Sequence, residues 1–167
     1  MTALTLIHVA LSLVGIGSGL VVLFGLIGSK RLDGWTSTFL ATTVATSVTG
    51  FFFPVSQFMP SHAIGILSLI ALTIAIVGRY PRRLAGPWRK TYVIAAAIAL
   101  YFNVFVLVVQ LFRRVEPLKE LAPTQTEPPF AVAQLVVLAL FILLTISAAR
   151  NFRGDQSLTT RAASSGR

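Results

Sequence analysis

The two histidines are the side chains of this chain that can take part in the widest range of chemistry, because the sequence contains no cysteine. His8 lies near the start of an apolar stretch, and His62 follows Pro54 and Pro60 in an otherwise apolar region. Neutral imidazole can ligate a haem iron or a Cu or Zn ion, and a quinone or lipid headgroup is an equally plausible ligand. The alternative is that His62 is an interfacial residue and His8 packs between helices through a hydrogen bond.

Three amide side chains extend this set of candidate ligand-binding residues. Asn103 lies near the middle of one apolar stretch, Gln110 follows two turns later on the same face, and Gln134 lies about one turn inside the last stretch. An amide in hydrocarbon needs hydrogen-bond partners, so we expect these side chains to face the protein interior. The sequence therefore predicts a pocket lined by His8, His62, Asn103, Gln110 and Gln134, with the two histidines as candidate metal ligands.

No catalytic residue is predicted, and no Asp or Glu lies inside any of the apolar stretches. The same absence argues against a proton pump or relay, which needs ionisable groups within the membrane. A transporter is less favoured than a ligand-binding protein or an accessory subunit, because the chain is short and shows no internal repeat.

The composition is that of an integral membrane protein. Hydrophobic residues make up 55% of the chain and charged residues 11%, and the mean hydropathy is +0.82. The formal net charge of +9 would suggest nucleic acid as a partner of a soluble protein. Here the basic residues lie between and after apolar stretches, so membrane topology explains them and nucleic acid is not expected.

A bundle of five transmembrane helices is the predicted fold, because a helix needs about 20 mostly apolar residues to cross a bilayer. Strand alternation is absent from these stretches. The predicted spans cover approximately residues 3–28, 35–55, 61–79, 90–112 and 129–150. They form one domain, 1–153, and the small polar residues of the tail, 154–167, predict disorder.

The basic residues predict the orientation of this bundle. Eleven Lys and Arg residues lie on one side of the five spans and three on the other. The positive-inside rule then places the N-terminus outside and the C-terminus in the cytoplasm. This orientation brings His8, His62, Gln110 and Gln134 to the outer leaflet or its edge, while the inner half has few polar groups.

Two loops are candidate contact surfaces, and one glycine pair is a candidate packing surface. Loop 79–90, rich in Arg and Lys, could bind anionic lipids, although it also serves as a topology determinant. Loop 122–130 could dock a protein partner, and Glu127 within it is expected to pair with Arg113 or Arg114. Gly15 and Gly19 form a G-x-x-x-G pair, which allows another helix to approach closely.

The stretches TSVTGFFFP (46–54), LYFNVFVLVVQLF (100–112) and APTQTEPPF (122–130) resemble those of a group of small uncharacterised proteobacterial inner-membrane proteins. The resemblance spans nearly the whole chain. It implies a multi-pass protein of the bacterial cytoplasmic membrane, and it implies no activity and no functional residue.

Two functions from different classes remain open on the sequence alone. The first is a membrane protein that binds a small ligand or cofactor, namely haem, a metal, a quinone or a lipid, in the predicted outer-leaflet pocket. The second is an accessory or assembly subunit whose polar residues only hold its helices together and whose outer loop contacts a larger complex.

Overall fold

The computed structural model describes residues 3–53 and 60–153, and for Pro60 and Ser61 only the backbone. These residues form helices and short connections, with no strand in the described part. The helices are α1 (Ala3–Ile27), α2 (Asp33–Gly50), α3 (Pro60–Arg79), α4 (Trp88–Arg114), α5 (Glu116–Leu121) and α6 (Pro128–Asn151). The predicted tail, 154–167, and most of the loop that contains Pro54 lie outside the described residues.

Four of the long helices are apolar enough to cross a membrane: α1, the part of α3 from His62 to Arg79, α4 and α6. All four coincide with stretches that the sequence predicts to be spans. The remaining predicted span, 35–55, overlaps α2, which begins two residues earlier and ends at Gly50, and which is less apolar because eight of its 18 residues carry a hydroxyl group. Among the described residues the sequence missed only one helix, the short α5 in the connection between α4 and α6.

The helix ends follow from local chemistry. Helix α1 ends at a turn in which Ser29 adopts a positive φ of 53°, and the N–H of Lys30 donates to the carbonyl of Gly25 at 2.8 Å. This bond satisfies a carbonyl that the helix itself leaves unpaired. Helix α6 begins with Pro128 and Pro129, whose fixed φ suits a first turn and whose missing N–H groups are not needed there.

Helices α1 and α4 occupy the centre of the bundle. Helix α1 packs against α2, α4 and α6, while α4 packs against α1, α3 and α6. The apolar core lies where α1 ends and α4 begins, and it includes Val22, Phe39, Leu72, Val93 and Leu100. The polar residues of the predicted site lie toward the opposite end of the bundle, so the apolar core anchors the helices that position them.

The G-x-x-x-G pair of α1 makes the close approach that the sequence predicts. A Cβ atom added to Gly19 would lie 2.6 Å from Cδ1 of Leu100 and 2.8 Å from Cδ2 of Phe39. A Cβ added to Gly15 would lie 3.0 Å from Oγ1 of Thr43 and 3.2 Å from Nδ2 of Asn103. These glycines let α2 and α4 touch the backbone of α1.

Helix α6 is attached to the bundle along one narrow seam. Its buried residues are Gln134, Phe141 and Ala148, which are spaced seven residues apart. Phe141 packs edge-on against Tyr101 of α4, with ring centroids 5.7 Å apart. Most other large apolar side chains of α6 are exposed, as in a helix that faces lipid.

Candidate functional site

The candidate site lies at the end of the bundle where α1 begins, which we call the polar end. We define it by five side chains from four helices, namely His8 and Ser12 of α1, Thr49 of α2, Asn103 of α4 and Gln134 of α6. Helices α2 and α4 run opposite to α1, while α6 runs parallel to it, so the start of α1 lies at the same end as the end of α2, the second half of α4 and the start of α6.

His8 is held by the end of helix α2. Its Nδ1 atom lies 3.0 Å from Oγ1 of Thr49, and the Thr49 hydroxyl donates its single hydrogen to the carbonyl of Ala45 at 2.8 Å. With the Thr49 hydrogen on the carbonyl of Ala45, Nδ1 of the neutral ring carries the proton and donates it to Thr49, which leaves Nε2 as an acceptor. The ring of Phe53 contacts the imidazole edge-on at a centroid distance of 5.2 Å.

Asn103 connects α4 to α1 and leaves one of its groups without a partner. The Ser12 hydroxyl donates to Oδ1 of Asn103 at 3.0 Å. The Asn103 side chain is buried, and its Nδ2 atom, directed at Gly15, has no hydrogen-bond partner in the structure. The hydroxyl of Thr43, on the other side of Gly15, is also buried without a partner. An unpaired buried group costs about 1–3 kcal/mol, so a ligand oxygen near Nδ2 would be stabilising.

Gln134 connects α6 to α4 in the same manner. Its Nε2 atom donates to the backbone carbonyl of Phe105 at 3.3 Å, while its Oε1 atom is buried and has no partner. Because Phe105 is two residues from Asn103, the amide of Gln134 contacts α4 close to the level of Asn103. One of them leaves a donor unsatisfied and the other an acceptor.

The other two predicted site residues lie elsewhere. Gln110 is exposed on the surface of α4, so it does not join the buried amides. His62 is half-buried at the start of α3, where its ring lies 5.7 Å from the ring of Phe51. Phe51 and Phe53 both belong to the turn after α2, so the two histidines contact neighbouring aromatic rings.

Among the described residues, His8 and His62 are the candidate metal ligands at this end. In the described part of the chain, no three His, Asp or Glu side chains come together in a group that could hold a metal ion. Nε2 of His8 is available as a metal or haem ligand, since the hydrogen bond to Thr49 uses Nδ1. A haem iron with two axial ligands would need His62 as well.

The outer connection has its own hydrogen bonds. The Glu127 carboxylate accepts from the N–H and hydroxyl of Thr124 at 3.1 and 2.8 Å, and from the N–H of Thr126 at 3.1 Å. Desolvation would raise the pKa of Glu127, but these hydrogen bonds hold it below its ordinary value. The expected ion pair with Arg113 or Arg114 is wrong for the described residues, because the carboxylate binds the turn instead.

Sequence reasoning missed a second polar cluster at the opposite end of the bundle, which we call the charged end. The buried guanidinium of Arg79 bonds the carboxylate of Asp33 and lies 5.4 Å from the ring centroid of the buried Tyr92. Arg31 bonds the same carboxylate at 3.2 Å. The expectation that this half has few polar groups is therefore wrong. Asp33 was the available signal, as the one acidic residue near this end in the described chain.

Comparison of the chain with protein-family models, with curated proteins and with solved structures found no match.

Proposed function

We propose that the chain is a multi-pass protein of the bacterial inner membrane that crosses the bilayer five times, with its N-terminus outside. The position of α2 supports the fifth crossing, since this helix packs between α1 and α3, which are both apolar enough to span. The excess of Lys and Arg at the charged end supports the orientation. The sequence resemblance supports the bacterial membrane.

Within this membrane protein, the polar end binds a small ligand. The observation that carries the proposal is that Nδ2 of Asn103 on α4 and Oε1 of Gln134 on the neighbouring α6 are both buried without a partner. Most buried polar groups in folded proteins have a partner, and hydrocarbon supplies none. A ligand that accepts from Asn103 and donates to Gln134 would satisfy both.

The ligand class follows from these groups. A quinone, its quinol or a lipid headgroup carries oxygen atoms that accept from an amide N–H, and a hydroxyl that donates to an amide oxygen or an imidazole nitrogen. Nε2 of His8 would accept such a hydroxyl at the rim of the site. Haem or a metal ion held by His8 and His62 is the alternative, and it would use the imidazoles without the amides. We assign no catalytic residue.

Native mass spectrometry of the full chain, mildly extracted from its own membrane, tests this proposal. We expect an adduct at the mass of a quinone or lipid. We also expect Asn103→Leu, which keeps the side-chain size, to lose it, and Gln110→Leu, an exposed amide on the same helix, to retain it. Thermal unfolding of each variant shows that the bundle still forms.

The other outcomes separate the remaining ligands. A haem or metal adduct that survives Asn103→Leu but disappears in the double variant His8→Ala with His62→Ala assigns the site to the imidazoles. A wild-type chain that carries no small adduct in any mild extraction contradicts the ligand proposal.

An accessory or assembly subunit is the second candidate function. It is favoured by helix α6, whose exposed apolar face is available to another membrane protein, and by the ordered turn of loop 122–130. In this case Thr124→Ala with Glu127→Ala should release a co-purifying protein, whereas Lys119→Ala in the same connection should not. A chain that purifies alone from every mild extraction would exclude this function.

The proposal includes one lipid contact outside the polar end. Loop 79–90 lies against anionic lipid headgroups, because its exposed residues include Arg82, Arg83 and Lys90. Charge of this sign and location is also what membrane insertion requires, so the lipid contact needs its own test.

A further inference from the structure

At the charged end, three segments that are distant in sequence meet through two hydrogen bonds. The N–H of Arg153, just after α6, donates to the Ser29 hydroxyl at 3.1 Å. The carbonyl of Arg153 accepts from Nη1 of Arg89, in the first turn of α4, at 3.0 Å. We call this place the basic junction and define it by Ser29, Lys30, Arg89, Lys90 and Arg153. Lys30, Lys90 and Arg153 are exposed, and Arg89 is half-buried.

The described part of the chain supplies little counter-charge at this end. Among the described residues, Asp33 is the only acidic one at the charged end, and its carboxylate is already shared by Arg79 and Arg31. No carboxylate of the described residues pairs with the remaining basic side chains here, which are Lys30, Arg82, Arg83, Arg89, Lys90, Arg150 and Arg153. The described residues therefore leave an excess of positive charge here, which favours the binding of an anion.

The start of helix α4 adds to this imbalance. Arg89 and Lys90 lie in its first turn, which has no acidic residue and no side-chain cap. The positive end of the helix dipole disfavours cations at that position and favours anions. The guanidinium of Arg89 cannot move away to avoid the repulsion without breaking its bond to the carbonyl of Arg153.

We propose that the basic junction binds the phosphate of an anionic membrane phospholipid. The inference deepens, and rests on, the proposed contact between loop 79–90 and anionic lipid, because it names one site formed by three segments. The phosphate would contact the charges of Lys30, Arg89 and Arg153, and the hydrogen bonds of the Arg153 backbone to Ser29 and Arg89 hold these segments together. The basic junction lies at the depth of a lipid headgroup, because it is just beyond the ends of the apolar helices α1 and α6.

The test is a lipid titration of the full chain in neutral detergent, followed by intrinsic tryptophan fluorescence. Trp88 lies beside Arg89, with Arg82 over its ring at 5.2 Å, so binding changes its surroundings. We expect phosphatidylglycerol to bind and phosphatidylcholine, at the same concentration, to bind at least tenfold more weakly. Arg153→Gln removes a charge but keeps both backbone hydrogen bonds, and we expect about fivefold weaker phosphatidylglycerol binding.

Matched variants locate the site. Arg89→Gln should weaken phosphatidylglycerol binding at least as much as Arg153→Gln, whereas Arg113→Gln, at the other end of α4, should leave it unchanged. If Arg82→Gln and Arg83→Gln weaken phosphatidylglycerol binding as much as Arg153→Gln does, the basic junction is not the site. The proposed contact between loop 79–90 and anionic lipid would remain intact. Equal binding of the two lipids would overturn both. If inorganic phosphate saturates the same fluorescence change, the ligand is a soluble anion, and the proposal of a membrane phospholipid is overturned.

Discussion

The two ends of the bundle hold their helices together by different means. At the polar end the interhelical bonds join neutral groups, such as His8 to Thr49 and Ser12 to Asn103, and some polar atoms remain unpartnered. At the charged end a buried guanidinium, that of Arg79, is neutralised by Asp33. An unpaired amide costs far less than an unpaired buried charge. The buried charge of Arg79 is therefore neutralised by a residue of the chain, and the polar end keeps hydrogen-bonding capacity for a ligand.

Removing the carboxylate of the charged end should have the largest effect on stability. Asp33→Ala leaves the buried guanidinium of Arg79 without its counter-charge, and we expect a loss of about 1.5–3 kcal/mol in the free energy of unfolding. The value lies below that of a fully buried pair, because Asp33 is itself exposed and water can replace it. Reversible unfolding in a denaturing detergent, followed by circular dichroism, measures the change.

A double variant separates the lost charge from lost packing. Asp33→Ala combined with Arg79→Met removes the unpaired cation and fills its space with an apolar chain, so most of the stability should return. If the double variant is as unstable as Asp33→Ala, the ion pair is not the cause.

Crowding the polar end should have the next largest effect. Gly15→Ala places a methyl group 3.0 Å from the Thr43 hydroxyl and 3.2 Å from the Asn103 amide, and overpacking of this kind costs about 1–3 kcal/mol. Gly17→Ala is the matched control, because a Cβ there meets nothing within 4 Å. The same unfolding assay compares the two, and equal stability of both variants would show that α2 and α4 do not approach α1 closely.

The helices and the amides of the polar end were predictable, since apolar stretches of membrane length and buried amides have direct sequence signals. Gln110 shares the helical face of Asn103 but lies about 10 Å further along α4. Near the start of α1 the neighbouring helices no longer cover that face, and Gln110 is exposed. The pairing of Asp33 with Arg79 depends on how α2 packs against α3, and no spacing in the sequence encodes that.

Breaking one neutral bond should have a smaller effect. Ser12→Ala removes the hydroxyl that donates to Asn103, and we expect a loss of about 0.6–1.5 kcal/mol, in the range of single hydrogen bonds between membrane helices. Thr73→Val is the control, because its hydroxyl returns only to the carbonyl of Leu69 on its own helix. A similar loss in both variants would mean that the bond between α1 and α4 contributes nothing specific. A larger loss in Ser12→Ala would support the link.

Lowering the pH should destabilise the turn in loop 122–130, and of the changes considered it should have the smallest effect on the stability of the whole bundle. The hydrogen bonds from Thr124 and Thr126 lower the pKa of Glu127 in the folded chain. The turn is therefore stabilised at any pH above the ordinary pKa of a glutamate, and this stabilisation is lost as the pH falls through the lowered value. Nuclear magnetic resonance of the two threonine amides in micelles should show that step, and Glu127→Gln should abolish it while α4 and α6 stay folded. A step that persists in Glu127→Gln would assign it to another group. A step in wild type alone would establish that this loop responds to acid independently of both polar clusters, as expected from its exposed position outside the bundle.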